Sequence, residues 1–143
     1  MIPGHAELRL DCRVLPGTEP EELLAELRAC LGELDVQLEL SSPPEGGSRS
    51  PVDTPLAGMI RDYVETIEPG ALVLPSMSAG FTNSHYLREA YGTVAYGFFP
   101  MLHTPLELAT ETVHSHDERI HQDDLTLGVR FLEHACRTIG GFR

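Results

Sequence analysis

The chain reads as an α/β (α+β) protein of two small lobes, and three observations carry that reading. Residues 6–15 alternate polar and apolar with period two, whereas 19–32 repeat with the period of a helix. The short apolar runs Ala71–Pro75 and Thr93–Phe99 lie between helical stretches, which suggests a parallel sheet covered by helices. Residues 41–55 are rich in Ser, Pro and Gly and have no periodicity, so they mark a boundary.

The elements follow in order. Leu8, Leu10, Cys12 and Val14 share one face and Glu7, Arg9, Asp11 and Arg13 the other, which predicts a half-buried strand. Pro16-Gly17 turns the chain. Thr18 and Glu21 form a capping-box pattern with Pro20 near the first helical position, and Leu23, Leu24, Leu27, Cys30 and Leu31 make one apolar stripe, so 19–32 is an amphipathic helix. Val36, Leu38 and Leu40 predict a second strand. Two strands and a helix do not close a core alone, so this lobe expects more material.

After the boundary, Pro55 opens a helix to about Thr66 with Leu56, Met59, Ile60, Tyr63, Val64 and Ile67 inward. Ala71–Pro75 is a buried strand, 76–82 a loop, 83–91 helical, Thr93–Phe99 a buried strand and 100–122 a long loop. Asp123 caps a last helix to about Ile139, with Leu125, Leu127, Val129, Phe131, Leu132 and Cys136 apolar. The division expected is a lobe at 1–42, a linker at 43–55 and a second lobe at 56–143.

Composition bounds the function. With 10 basic and 22 acidic residues the formal charge is −12, which repels phosphate backbones and anionic membrane surfaces, so neither a nucleic-acid nor a membrane partner is expected. No run approaches the roughly 20 apolar residues of a membrane helix, and the start of the chain lacks a signal-peptide pattern, so a cytoplasmic location is expected. Cys12, Cys30 and Cys136 read as buried thiols rather than a disulfide framework.

Four of the seven histidines fall in the 100–122 loop, the densest piece being Val113-His114-Ser115-His116-Asp117-Glu118-Arg119. His-x-His puts two imidazoles on one side of an extended segment, yet surface loops also collect soluble His, Asp and Glu, so the spacing leaves both a metal site and a solvated loop open. Catalytic zinc usually takes three protein ligands, and no other cluster has convincing spacing. There is no Gly-x-Ser-x-Gly elbow, no His-Glu-x-x-His and no phosphate loop.

The order of motifs adds to this. Ile2-Pro3, the strand ending Asp11-Cys12-Arg13, Pro16-Gly17, then Gly80-Phe81-Thr82-Asn83-Ser84-His85, Tyr96-Gly97-Phe98-Phe99-Pro100 and His114-Ser115-His116-Asp117-Glu118-Arg119 together resemble the C-terminal part of the zinc-dependent aminoacylase/carboxypeptidase metallopeptidase family, which includes acetylornithine deacetylase and succinyl-diaminopimelate desuccinylase. The resemblance spans nearly the whole chain. It implies a partial ferredoxin-like lid or dimerisation lobe followed by the C-terminal helix-strand portion of an α/β zinc-peptidase catalytic domain.

The same resemblance implies roles. His114 matches the family's last zinc ligand, and Arg13 the lid arginine that grips a substrate carboxylate, for which a planar guanidinium is suited. Thr82 and Asn83 are implied substrate-binding positions, although Asn83 stands where the family prefers Asp and His85 where it often has Arg. Glu118 and Arg119 are implied supports of the His114 loop.

The substrate implied is an N-acyl amino acid or dipeptide with a free carboxylate, and the cofactor Zn2+, of which this chain holds one ligand. The family's His-x-Asp pair, metal-bridging Asp, Glu-Glu pair and first half of the lid have no counterpart here. The resemblance therefore implies a shortened gene product, a displaced start, a deliberately cut chain or a half that needs a separately encoded N-terminal partner. No catalytic residue is expected within the chain, and the segment alone is expected to be inactive. The competing expectation is a non-catalytic binding or dimerisation module that pairs with its own copy through an open sheet edge.

Overall fold

Pro16 and Gly17 turn the chain ahead of the first helix: the Thr18 N–H donates to the Leu15 carbonyl at 3.1 Å, and Gly17 takes the positive φ of 92° that the third position of such a Pro-Gly turn requires. Helix α1, Pro20–Leu31, follows. Pro20 has no N–H to leave unpaired and suits the first helical position, which makes Glu19 the cap; the Glu19 N–H donates to Glu22 Oε2 at 3.3 Å. The capping pattern expected at Thr18 and Glu21 thus falls one residue later. The computed structural model describes residues 4–40 and 47–141. The Ile2-Pro3 motif and residues 41–46 of the expected boundary lie outside the described residues.

The chain divides into two compact units. The first comprises Met1–Ser50 and Ser78–Thr93. It contains α1 and α3, Ser84–Tyr91, which ends at Gly92 in the left-handed conformation. No residue of α1 is buried; Leu23, Leu24, Leu27 and Leu31 are half-buried and Cys30 is exposed. Residues 6–15 and 36–40, expected as strands, are irregular, with short side-chain contacts along each segment. Arg9 meets Glu7, Arg13 meets Asp11 and Gln37 meets Glu39, contacts between residues i and i+2.

A ladder does not form. Among the described residues β-pairing is an isolated parallel bridge between Pro16 and Gly47. Among the described residues the strand-helix-strand lobe is therefore seen as its helix, without a sheet: a strand's backbone needs a bonded neighbour, and these segments have one bridge at the end of the first. Leu8 is 81% exposed, so the face expected to be half-buried is open. At Gly47 a Cβ would meet Pro16 N at 2.8 Å and Val14 O at 2.9 Å, so only glycine permits this close approach.

The second unit comprises Pro51–Met77 and Val94–Arg143. Helix α2, Pro55–Ile67, starts at Thr54, whose Oγ1 accepts from the Ala57 N–H at 3.1 Å. It packs against α5, Gln122–Gly140. Met59, Ile60 and Phe131 are buried between them, with Leu56, Tyr63, Val64, Val73, Tyr96, Phe98 and Ala135 packed around. Tyr63 and Phe98 both meet the Phe131 ring edge-to-face, with centroids at 5.2 and 4.9 Å. The Tyr96 hydroxyl donates to the Pro51 carbonyl, which leaves the Thr54 hydroxyl to donate to Tyr96.

Four expectations change here. The runs 71–75 and 93–99 are not strands and are not buried on both faces: Val73, Tyr96 and Phe98 face the core while Leu72 and Leu74 are exposed. The loop at 100–122 contains a short helix, α4, Leu106–Glu111. The cap of α5 is His121, whose Nδ1 accepts from the Asp123 N–H at 3.2 Å, not Asp123.

The fourth change concerns the buried face of α5. It is Asp124, Gly128 and Phe131, with Ala135 half-buried, whereas Leu125, Val129, Leu132 and Cys136 are exposed. A Cβ on Gly128 would collide with the Phe99 ring, so glycine lets that ring close on the helix. The cysteines are corrected too: Cys12, Cys30 and Cys136 are all exposed and free. Among the described residues no helix is long and apolar enough to cross a membrane.

Candidate functional site

His114 sits in the second unit, just after α4, in a tight turn. The Ser115 N–H donates to Thr112 O at 2.9 Å and the Glu118 N–H to Ser115 O at 3.3 Å. Among the described residues His114 is the non-glycine residue with positive φ, at 62°. That left-handed conformation costs about 1–3 kcal/mol and persists only where the surroundings impose it. In this turn Glu118 Oε2 accepts from the His114 N–H at 3.0 Å. The supporting role expected for Glu118 thus has a direct contact. Arg119 bonds instead to Asp117, through both carboxylate and backbone carbonyl. The imidazoles of His114 and His116 are exposed.

Arg13 sits in the first unit, on the exposed polar face of its segment. Its guanidinium lies side-on to Asp11, with Nε to Oδ1 at 3.0 Å and Nη2 to Oδ2 at 3.1 Å. The bidentate geometry that suits a substrate carboxylate is therefore already made to a carboxylate of the chain. Side chains here are 52% and 75% exposed, so exchange of one carboxylate for another meets little packing resistance. Thr82 and Asn83 belong to the same unit and open α3. Thr82 Oγ1 accepts from the Ser84 N–H at 3.2 Å, its carbonyl accepts from the His85 N–H, and both residues are exposed. The bonds recorded for Arg13 and for Thr82 are local in sequence.

Zinc is the metal that the resemblance implies. Among the described residues no three His, Cys, Asp or Glu side chains come together as a group that could hold a metal ion. The residues described here do not by themselves make up a zinc site.

Two polar networks were not anticipated. In the first unit Arg88 donates from Nε to Ser50 Oγ at 2.9 Å and from Nη1 to Ser48 Oγ at 3.1 Å. Ser48 Oγ also lies 3.2 Å from His85 Nδ1. This network ties 48–50 to one face of α3, spaced i and i+3, a signal present in the sequence but lacking its distant partners.

In the second unit Asp124 is fully buried. Its Oδ1 accepts from the N–H groups of Leu102 at 2.7 Å and His103 at 3.0 Å, and its Oδ2 from the Thr104 N–H and hydroxyl, both at 2.6 Å. Burial pushes the Asp124 carboxyl up, but the Thr104 hydroxyl and the three backbone N–H groups outweigh it and hold the group well below the usual carboxylate range. The Thr104 hydroxyl, with its proton spent on Asp124, accepts from the His121 N–H at 3.0 Å. The rings of His103 and His121 lie 5.3 Å apart.

Residues 1–39 match the family model of the peptidase dimerisation domain. The match covers 39 of the 143 residues and makes that segment similar to the dimerisation domain of M20 peptidases. No curated protein and no solved structure matches the chain.

Proposed function

We propose that the chain works as part of an M20-type metallohydrolase, its N-terminal lobe serving dimerisation and residues 56–143 forming the C-terminal portion of the catalytic domain. The observation that carries this is the dimerisation-domain match at residues 1–39. The exposed, strained His114, held by Glu118 in the motif where the family's last metal ligand falls, supports the second half of the reading. In this reading Arg13 exchanges Asp11 for the free carboxylate of an N-acyl amino acid or dipeptide, with Thr82 and Asn83 at the same substrate. His114 contributes one ligand to zinc. The remaining ligands and the general base come from residues outside those described here.

The test uses the 143-residue chain. Light scattering is expected to give twice the 15.7 kDa chain mass, and a folded monomer at micromolar concentration would remove the dimerisation role. Zinc content and N-acetyl amino acid hydrolysis are both expected to be null for this chain alone. Stoichiometric zinc with turnover would overturn the dependence on outside residues. Joined to a segment that supplies His-x-Asp and Glu-Glu motifs, the chain is expected to gain hydrolysis that His114→Ala removes. The same match at residues 1–39 favours a second reading, a dimerisation module with no catalytic duty; a stable dimer that gains no activity in the joined form would select it.

A further inference from the structure

The 105–120 segment carries α4 and the His114 turn, and its recorded hydrogen bonds are internal. Thr110 and Thr112 bond back to Leu106, Glu107 and Leu108, Ser115 to Thr112, and Glu118 to Ser115 and His114. Such a loop keeps its own shape but gains no direction from those bonds. Its direction comes from its two ends. At one end Leu102, His103 and Thr104 all donate to Asp124. At the other end the His121 N–H donates to Thr104 Oγ1, next to the first turn of α5.

We propose that Asp124 and Thr104 are positioning residues: together they clasp both ends of the 105–120 loop to the start of α5 and thereby set the direction in which His114 is presented. The functional meaning rests on the reading of His114 above, whereas the clasp itself stands on the geometry of the second unit. Three features make the carboxylate suited to the task. Four donors converge on it, and two oxygens with four lone-pair sites can accept all of them. It is fully buried, so water does not compete for those donors. It stands in the first turn of α5, where negative charge is favoured. An amide would turn an NH2 group toward the same N–H donors. The Thr104 hydroxyl is the link between the two ends, because it donates to Asp124 while it accepts from His121.

The experiment is residue-resolved amide hydrogen exchange on the full chain, read with the NMR resonances of the His114 imidazole, for Asp124→Asn, Thr104→Val and Thr104→Ser. Thr104→Val is expected to speed exchange at the clasp amides of Leu102, His103 and His121 by about tenfold, and to shift the His114 imidazole signals. Amides in the middle of α2 and α5 stay within about twofold. Thr104→Ser, which keeps the hydroxyl, restores both readouts. Asp124→Asn gives the same pattern more strongly, and if it does not fold, the Val and Ser pair decides. Faster exchange spread evenly through α2 and α5, or clasp amides and imidazole unchanged in Thr104→Val, would overturn the proposal. Neither readout depends on hydrolysis. A failure of the hydrolase reading leaves the exchange pattern intact, and a failure of the clasp appears in the exchange pattern alone.

Discussion

Helices α1 and α5 carry the same kind of sequence pattern, an apolar stripe along one side of a polar helix, and they come to different ends. In α5 the stripe is covered in part: Phe131, with Gly128 and Asp124, is buried on the side that meets α2, whereas Leu125, Val129 and Leu132 stay exposed. In α1 no residue is buried, and the neighbouring segments leave Leu8, Leu10, Leu34 and Val36 exposed. An apolar stripe is a requirement for a partner, and the hydrophobic gain of roughly 25 cal/mol per Å² is realised only where a partner covers it. The lobe that matches a dimerisation domain has no buried apolar side chain among its described residues, whereas the second unit buries Met59, Ile60 and Phe131.

Substitutions can break that contrast or sharpen it. Phe131→Ala should have the largest effect, because it empties the centre of the α2/α5 core; a loss of about 3–5 kcal/mol is expected in denaturant or thermal unfolding. A loss under 1 kcal/mol would mean that this core is not what holds the second unit.

Asp124→Asn should follow, at about 1–3 kcal/mol near neutral pH, since buried N–H donors lose their acceptors. The pH dependence has a definite sign. The folded Asp124 carboxyl is held below its unfolded value of about 3.9, so its contribution is complete above that value and is lost as pH falls through the folded one. Stability measured from pH 7 down to pH 3 should therefore fall more gently in Asp124→Asn than in the parent. Parallel curves would remove the assignment.

Thr54→Ala removes the α2 cap and the contact to Tyr96, and a loss of about 1 kcal/mol is expected. The smallest change in stability is expected for Leu8→Ser with Leu10→Ser, within about 0.5 kcal/mol for the isolated chain, because both side chains are already exposed. Association should nevertheless weaken in light scattering. Stability lost without any change in association would reverse the comparison between the two helices.

Much of the helical framework was legible because its signals are local. Pro20, Thr54-Pro55, Gly92 and the acidic start of α5 mark ends of α1, α2, α3 and α5 within a residue or two. Helix α4 was not legible, since its six residues and Pro105 cap lack a full amphipathic repeat. The His114 segment was legible as a motif, and the supporting role of Glu118 was implied by the resemblance, whereas the turn that His114 occupies was not foreseen. The clasp was not: Asp124 reaches donors 20 to 22 residues away, and nothing in the Gln122-Asp123-Asp124 run tells which acid turns inward.

By itself the sequence determined where α1, α2, α3 and α5 begin and end to within a residue or two, and which segments alternate, because caps, turns and side-chain periodicity depend on residues at most a few places apart. Tertiary structure alone decided that Gly128 and Phe131 rather than Leu125 and Val129 would be the inward side of α5. It also decided that Asp124 would be buried among backbone donors, and that 6–15 and 36–40 would form no ladder among the described residues. Those outcomes depend on which surfaces meet, and a periodic pattern specifies that a face must be covered without specifying by what.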